Sequence, residues 1–177
     1  MDTIGNAFLQ SAIKRVKYYK QLSERTFEQL EENDFYFRPN SVSNSLAVII
    51  QHMSGNMLSR WSNFLSEDGE KSWRNRDMEF EDRHYSRQEL MECWEKGWNC
   101  FTDALESLKE EDLLKTVYIR SEPLPVIDAI NRQLAHYPHH AGQIIYVGKI
   151  IRGEQWENLS IERNRSEAYN TMMTRKS

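Results

Sequence analysis

Three of the five histidines of the chain lie within the ten residues LAHYPHHAGQ. In a helix, His136 and His140 are four residues apart and project from the same face. At this spacing two imidazoles can bind one divalent metal ion, as in the H-E-x-x-H helix. The same stripe continues with four aliphatic residues that should face the core: Ile144, Val147, Ile150 and Ile151. We therefore predict an inward-facing pair of metal ligands.

A catalytic zinc-type site usually has three protein ligands and one open position. His52 and His84 are both available as the third ligand. We favour His52, because its predicted helix carries a face that changes from apolar to polar, as expected for a helix that lines a cavity. The alternative is that His52 is an ordinary hydrogen-bonded side chain. We assign His84 and His139 either to the surface or to positions behind the ligands, and not to the ligand set.

Pro138 lies between the two ligand candidates of the last helix. Inside a helix, proline lacks one amide hydrogen and its ring pushes against the carbonyl of Leu134, so a kink is expected. Such a kink could turn His136 inward. In the alternative, the helix begins near Pro138, because proline suits the first turn of a helix.

Apolar residues at three- and four-residue steps predict the first two helices. The first covers about residues 3–32. The second begins at Ser43 or Ser45, both suitable N-cap residues, and extends to about residue 65. A long polar connection follows.

Two further helices are predicted in the second half of the chain. Ser86 and Glu89 form a capping box at the start of the third helix. After a short extended excursion, the fourth helix covers about residues 126–152 and ends at Gly153. The remainder should be an extended tail, from about residue 154, that packs on the helices through three residues: Trp156, Leu159 and Ile161.

Four amphipathic helices in 177 residues predict an all-α fold, a four-helix bundle that forms one domain over residues 1–177. The formal net charge is −4 and the two signs are interspersed, which disfavours nucleic acid as a partner. The apolar runs are too short to span a membrane, and the N-terminus does not resemble a secretory signal. Cys93 and Cys100 fit reduced thiols, so we expect a cytoplasmic protein.

Several stretches together resemble the DinB/YfiT-like superfamily of four-helix-bundle metalloproteins. HYPHHAGQIIYVGKIIRG resembles the last helix of that superfamily, and LAVIIQHMSGNMLSRW resembles its second helix. GNMLSRWSNFLSEDGEK, WRNRDMEF and WENLSIERNRSEAYN are similar to one bacterial branch of uncharacterised proteins. The sequence departs from the pattern at Pro138 and in the strongly charged stretch SIERNRSEAYN.

The resemblance implies a bundle with an inner His₃ site that holds nickel or zinc, often in a homodimer. By position it assigns His52, His136 and His140 as the ligands. Characterised relatives in the superfamily include bacillithiol-dependent thiol S-transferases and a mycothiol-dependent isomerase. The resemblance therefore implies a metal-dependent transferase whose substrates are a low-molecular-weight thiol and a small electrophile.

Polar residues near the predicted ligands suggest how such a site would work. Asn56 and Gln143 are placed to hold the ligand imidazoles or bound water. Arg60, Arg76 and Glu79 could line or cap the pocket, and arginines suit the carboxylates of a thiol cofactor. The alternative for the residues of the connection is a solvated loop with ion pairs.

Three functional hypotheses remain open from the sequence. The leading one is a metal-dependent thiol S-transferase. The second is a metal-binding or stress-related bundle without turnover, in which the metal fastens two helices. The third, metal-assisted hydrolysis, needs a carboxylate base that only Glu79 could provide from the connection.

Overall fold

Four long helices account for about half of the chain in the computed structural model, which describes residues 3–174. Their bounds are α1 Ile4–Phe27, α2 Leu46–Trp61, α3 Arg87–Ser107 and α4 Val126–Arg152. Two short strands, β1 Thr116–Ile119 and β2 Glu122–Pro125, precede α4, and a short helix α5, Ser166–Thr174, follows it. The expected all-α fold is thus broadly confirmed, with a small sheet in addition.

The first helix starts where it was predicted and ends earlier. Thr3 caps α1 by accepting a hydrogen bond from the backbone amide of Asn6. The predicted end near residue 32 is wrong, because α1 stops at Phe27 and the chain then forms a separate 3₁₀ turn, Glu32–Tyr36. Asp34 stabilises this turn by accepting from the backbone amide of Glu31.

The second helix begins at Ser45, whose hydroxyl accepts from the amide of Val48, so Ser43 is not the cap. The helix ends at Trp61 rather than near residue 65. Asn63 adopts a positive φ of 50°, which interrupts helical geometry. This turn sends the chain into the long polar connection.

Both later helices follow the sequence closely. The capping box of Ser86 and Glu89 is present at the start of α3. Helix α4 runs without a break through Pro138 and ends at Gly153, which has a φ of 53°. The alternative in which the helix begins near Pro138 is therefore wrong, whereas the kink stays a prediction.

The long helices pack in pairs, with α2 and α1 each contacting both α3 and α4. Gly97 of α3 lies so close to the backbone of Ser54 that a Cβ there would overlap it, so this glycine permits the close approach of α2 and α3. The largest fully buried side chains of the core include five aromatic residues: Phe27, Trp94, Trp98, Phe101 and Tyr137. On α4, Ile144 and Val147 are buried as predicted, but Ile150 is 44% exposed.

The predicted extended excursion is an antiparallel hairpin formed by β1 and β2. Its turn residues Arg120 and Ser121 have positive φ values. The carboxylate of Asp68 accepts hydrogen bonds from both of their backbone amides, at 2.9 and 2.7 Å. The hairpin thereby fastens the start of the polar connection to the helical body.

The segment after α4 only partly matches its prediction. Trp156 and Leu159 are half-buried, but Ile161 is 43% exposed. The segment is also not extended throughout, because α5 occupies Ser166–Thr174. None of the helices in residues 3–174 combines the length and the apolar character that crossing a membrane requires.

Candidate metal centre

Three imidazoles from two helices converge at one point. His52 comes from α2, and His136 and His140 come from successive turns of α4. One ring nitrogen of each lies within 4.8 Å of the other two. The Nε2 atoms of His136 and His140 are 3.1 Å apart. The structure therefore brings together the three ligand candidates that the sequence indicated.

Amide oxygens orient the two imidazoles of α4. The Nδ1–H of His140 donates to Oε1 of Gln143 at 2.7 Å, and Nδ1 of His136 faces Oε1 of Gln133 at 3.4 Å. The amide nitrogen of Gln143 donates to Nε2 of His139 at 3.2 Å, which fixes the direction of the amide. Because an amide oxygen only accepts, these contacts fit the tautomer of both rings with the proton on Nδ1. In that tautomer the Nε2 lone pairs face the centre.

A carboxylate orients the third imidazole. The Nδ1–H of His52 donates to Oε2 of Glu79 at 3.0 Å. Glu79 itself accepts from Nε and Nη2 of Arg74, at 2.7 and 2.9 Å. A carboxylate behind a ligand histidine is a common feature of protein metal sites, where it fixes the ring and increases its basicity. Glu79 thus orients a ligand and is not free to act as a base.

A glycine on α2 makes room for this carboxylate. Gly55 lies three residues after His52, and a Cβ at that position would overlap the carboxylate of Glu79. Gly55 therefore belongs to the site together with His52, because it leaves space for the carboxylate of Glu79. The sequence contains this signal, but the glycine could not be interpreted without knowing that Glu79 lies against it.

The electrostatics of the site favour neutral imidazoles and an ionised carboxylate. Burial, together with the neighbouring histidines, lowers the pKa of His136 to about 3. Burial also lowers the pKa of His140 to about 4, against the hydrogen bond to Gln143. For Glu79, burial raises the pKa, but hydrogen bonds from His52 and Arg74 outweigh it and the pKa lies below its ordinary value. Neutral imidazoles are the form that binds metal.

The residues present fit a divalent cation. With both rings protonated on Nδ1, two Nε2 lone pairs face each other at 3.1 Å, and a cation between them would stabilise this arrangement. Bonds of ~2.0–2.1 Å in a tetrahedral zinc site place ligand nitrogens about 3.3 Å apart, close to the observed distance. Imidazole donors suit zinc and nickel among the common metals.

Tyr137 and Trp61 form a buried network beside the ligands that the sequence did not reveal. Tyr137 is fully buried, and its hydroxyl donates to Oδ1 of Asn56 at 3.0 Å and accepts from Nε1 of Trp61 at 3.3 Å. Burial raises the pKa of Tyr137 far above its ordinary value. Among the described residues, Asn56 hydrogen-bonds to this tyrosine and to no ligand imidazole. Its predicted role toward bound water stays a prediction.

The arginines predicted near the pocket have different environments. Arg60 is buried and forms a salt bridge of 3.0 Å with Glu70, so it connects α2 to the polar connection. Arg76 is exposed and lies over the ring of Phe80, at 4.9 Å from its centroid. Both arginines line a cavity of about 260 Å³ that also reaches His52 and His136.

The two remaining histidines lie outside the ligand set. His84 is exposed, has a positive φ of 48° and packs on the ring of Tyr36 at 5.8 Å. His139 is exposed and contacts the site through Gln143. Their predicted positions agree with the structure.

Comparison with known proteins adds one match. No curated protein and no solved structure matches the chain significantly. The family model described as Protein of unknown function (DUF1572) matches residues 3–165. The chain therefore belongs to the DUF1572 family.

Proposed function

We propose that this protein is a metal-dependent enzyme with a DinB-type four-helix bundle, and that His52, His136 and His140 bind a divalent nickel or zinc ion. The observation that carries the proposal is the convergence of three ligand nitrogens within 4.8 Å. Each ring is oriented by a polar partner on its far side: Glu79 for His52, Gln143 for His140 and, more loosely, Gln133 for His136.

Thiol S-transfer is the reaction that we propose for this site. A divalent ion held by three neutral imidazoles retains its full charge and favours the thiolate form of a bound thiol at neutral pH. In the overall reaction, the thiol loses its proton and its sulfur forms a bond to an electrophilic carbon. The leaving group departs with the electron pair of the broken bond. A bacillithiol-type thiol and a small electrophile are the proposed substrates, and a homodimer is the proposed assembly.

The residues of the chain contribute orientation and exclusion of water. Glu79 and Gln143 hold the ligand rings in one tautomer. The cavity of about 260 Å³ gives access to His52 and His136. The network of Tyr137, Asn56 and Trp61 is buried beside the site, and we propose that the thiol approaches from the cavity.

A metal-binding protein without turnover is the second candidate. It is favoured by the distribution of the ligands, because a bound metal would fasten α2 to α4. In this case the protein should lose much of its stability when the metal is removed.

Metal content decides whether the site binds metal at all. We expect about one equivalent of nickel or zinc in the untagged protein and almost none in His140→Ala. His84→Asn is the matched control and should retain the metal, because His84 is exposed and lies outside the site. Asparagine tolerates the positive φ of 48° at this position. Elemental analysis of the three purified proteins gives the answer. Absence of metal from the wild type after reconstitution would contradict the proposal.

Activity separates the two candidates. We expect the metal-loaded wild type and His84→Asn to consume bacillithiol in the presence of an alkyl or aryl halide, with release of halide. His140→Ala should be inactive. Bound metal without consumption of thiol would favour the non-catalytic candidate.

A further inference from the structure

Five arginines line the cavity that adjoins the histidine site. They come from separate parts of the chain: Arg60 from α2, Arg74 and Arg76 from the connection, Arg120 from the β1–β2 turn and Arg132 from α4. A guanidinium group keeps its charge in a protein. Their convergence therefore creates a strongly positive potential in a space of about 260 Å³, which attracts anions.

Only part of this charge is balanced by the protein. Glu70 accepts hydrogen bonds from Arg60 and Arg120, at 3.0 and 2.9 Å. Glu79 accepts from Arg74. Asp68, which accepts from the backbone amide of Arg120, brings a third carboxylate to this side of the cavity. Three carboxylates thus face five guanidinium groups, and the cavity keeps a positive excess.

Three of the five arginines have N–H donors from which no described residue accepts a hydrogen bond. The side chain of Arg74 is only 2% exposed. Its Nη1 atom is buried and has no hydrogen-bond partner in the described part of the chain. Arg76 and Arg132 form no salt bridge with any described residue. The contact of Arg76 with the face of Phe80 leaves its N–H groups free.

The position of the cavity connects this charge to the metal centre. His52 and His136 form part of the same wall as the arginines. Arg132 precedes His136 by four residues on α4 and therefore lies on the same face. An anionic group held by the arginines would place the rest of its molecule beside the ligand imidazoles.

We propose that this cavity is a subsite for a small organic dianion, a dicarboxylate or a phosphate monoester, carried by a substrate of the metal centre. Planar guanidinium groups bind carboxylate and phosphate oxygens in pairs, and such charge-assisted hydrogen bonds are strong. The volume accommodates the charged end of a molecule rather than a large cofactor. The subsite rests on the proposed function for its role and on the arginines alone for binding.

Binding of simple anions to the untagged, metal-loaded protein tests the subsite. We expect calorimetry to show that phosphate and succinate bind, whereas acetate binds at least tenfold more weakly. Arg132→Gln and Arg76→Gln should each weaken the binding of the dianions about tenfold, the loss of one charge-assisted contact. Both residues are exposed, so the variants should fold, which thermal unfolding checks. Preference for phosphate or for succinate identifies the source of the dianion.

Arg15→Gln is the matched control, because it changes the net charge equally at an exposed position of α1 outside the cavity. Equal binding by Arg132→Gln and Arg15→Gln would overturn the proposal, as would acetate that binds as well as the dianions, or a wild type that binds none of them. Metal content, measured on the same samples, separates the two failures. If the protein binds dianions but no metal, the subsite is supported and the metal proposal is rejected. If it binds metal but no dianion, the metal proposal is supported and the subsite is rejected.

Discussion

The connection between α2 and α3 and the segment after α4 are both long and rich in charge, yet their structures differ. In the connection, Lys71 and Glu79 are less than one tenth exposed. In the segment after α4, every described residue from 160 onward is exposed. A high content of charged residues therefore does not determine whether a segment of this protein is buried or exposed.

The difference lies in the partners that each segment meets. Glu79 meets His52 and Arg74, and Asp68 meets two backbone amides of the hairpin turn. Charges of the last segment pair locally, as Glu162 does with Arg165 at 3.9 Å. Burying a charge is costly unless it is paired and hydrogen-bonded. Glu79 of the connection has such partners and is buried, whereas the charges of the last segment remain exposed.

Glu79→Ala should give the largest effect on stability. It leaves the guanidinium of Arg74, 2% exposed, without its partner, and breaking a buried pair in this way costs about 3–5 kcal/mol. The control Glu162→Ala, at an exposed pair, should change the free energy of unfolding by no more than about 0.5 kcal/mol. Urea denaturation measures both, and similar values would remove the distinction between the two segments.

Gly55→Ala should displace the carboxylate of Glu79 and so loosen His52. We expect a loss of about 10–100-fold in metal affinity, as for other changes behind a ligand histidine. A Cβ on Gly142 of α4 would meet nothing within 4 Å, so Gly142→Ala should retain the affinity. Competition with a chromophoric chelator measures the affinities. Equal affinities in the two variants would mean that Glu79 does not orient the site.

The metal-free protein should lose stability as the pH falls. His136 and His140 have folded-state pKa values of about 3 and about 4, below the ordinary 6.5. At a pH between the folded-state values and 6.5, the unfolded chain binds more protons than the folded chain. The stabilisation that comes from the two neutral histidines is therefore complete above pH 6.5 and decreases as the pH falls toward the folded-state pKa values. The midpoint of thermal unfolding at pH 7 and pH 5 measures this. His136→Gln should show a smaller decrease, whereas His84→Asn, outside the site, should behave like the wild type.

Removal of residues 162–177 should have the smallest effect. The contacts that hold the start of the last segment remain, including the hydrogen bonds of Gln29 with Glu157 and of Arg25 with the carbonyl of Leu159. The free energy of unfolding should change by no more than about 0.5 kcal/mol. A loss of several kcal/mol in urea denaturation would show that this segment, like the connection, stabilises the fold.

Local signals in the sequence predicted the helices well where a cap or a period defines them. Ser45, the capping box of Ser86 and Glu89, and Gly153 all mark helix ends in the structure. The spacing of His136 and His140 indicated a shared face because helical geometry is set by the backbone alone. The predicted ends of α1 and α2 were wrong. Helix α1 stops at Phe27, before the 3₁₀ turn Glu32–Tyr36, and α2 stops at Trp61, just before Asn63 with its positive φ.

Tertiary structure alone decided which distant groups meet. The partnership of His52 with Glu79, the space left by Gly55 and the contact of Tyr137 with Asn56 each join residues that no local pattern relates. The five arginines of the cavity are likewise scattered along the chain. Periodicity and capping act within a few residues, so the sequence by itself determined the helices and the inward histidine pair. The orientation of the ligands and the charge of the cavity depend on how those helices and the connection pack.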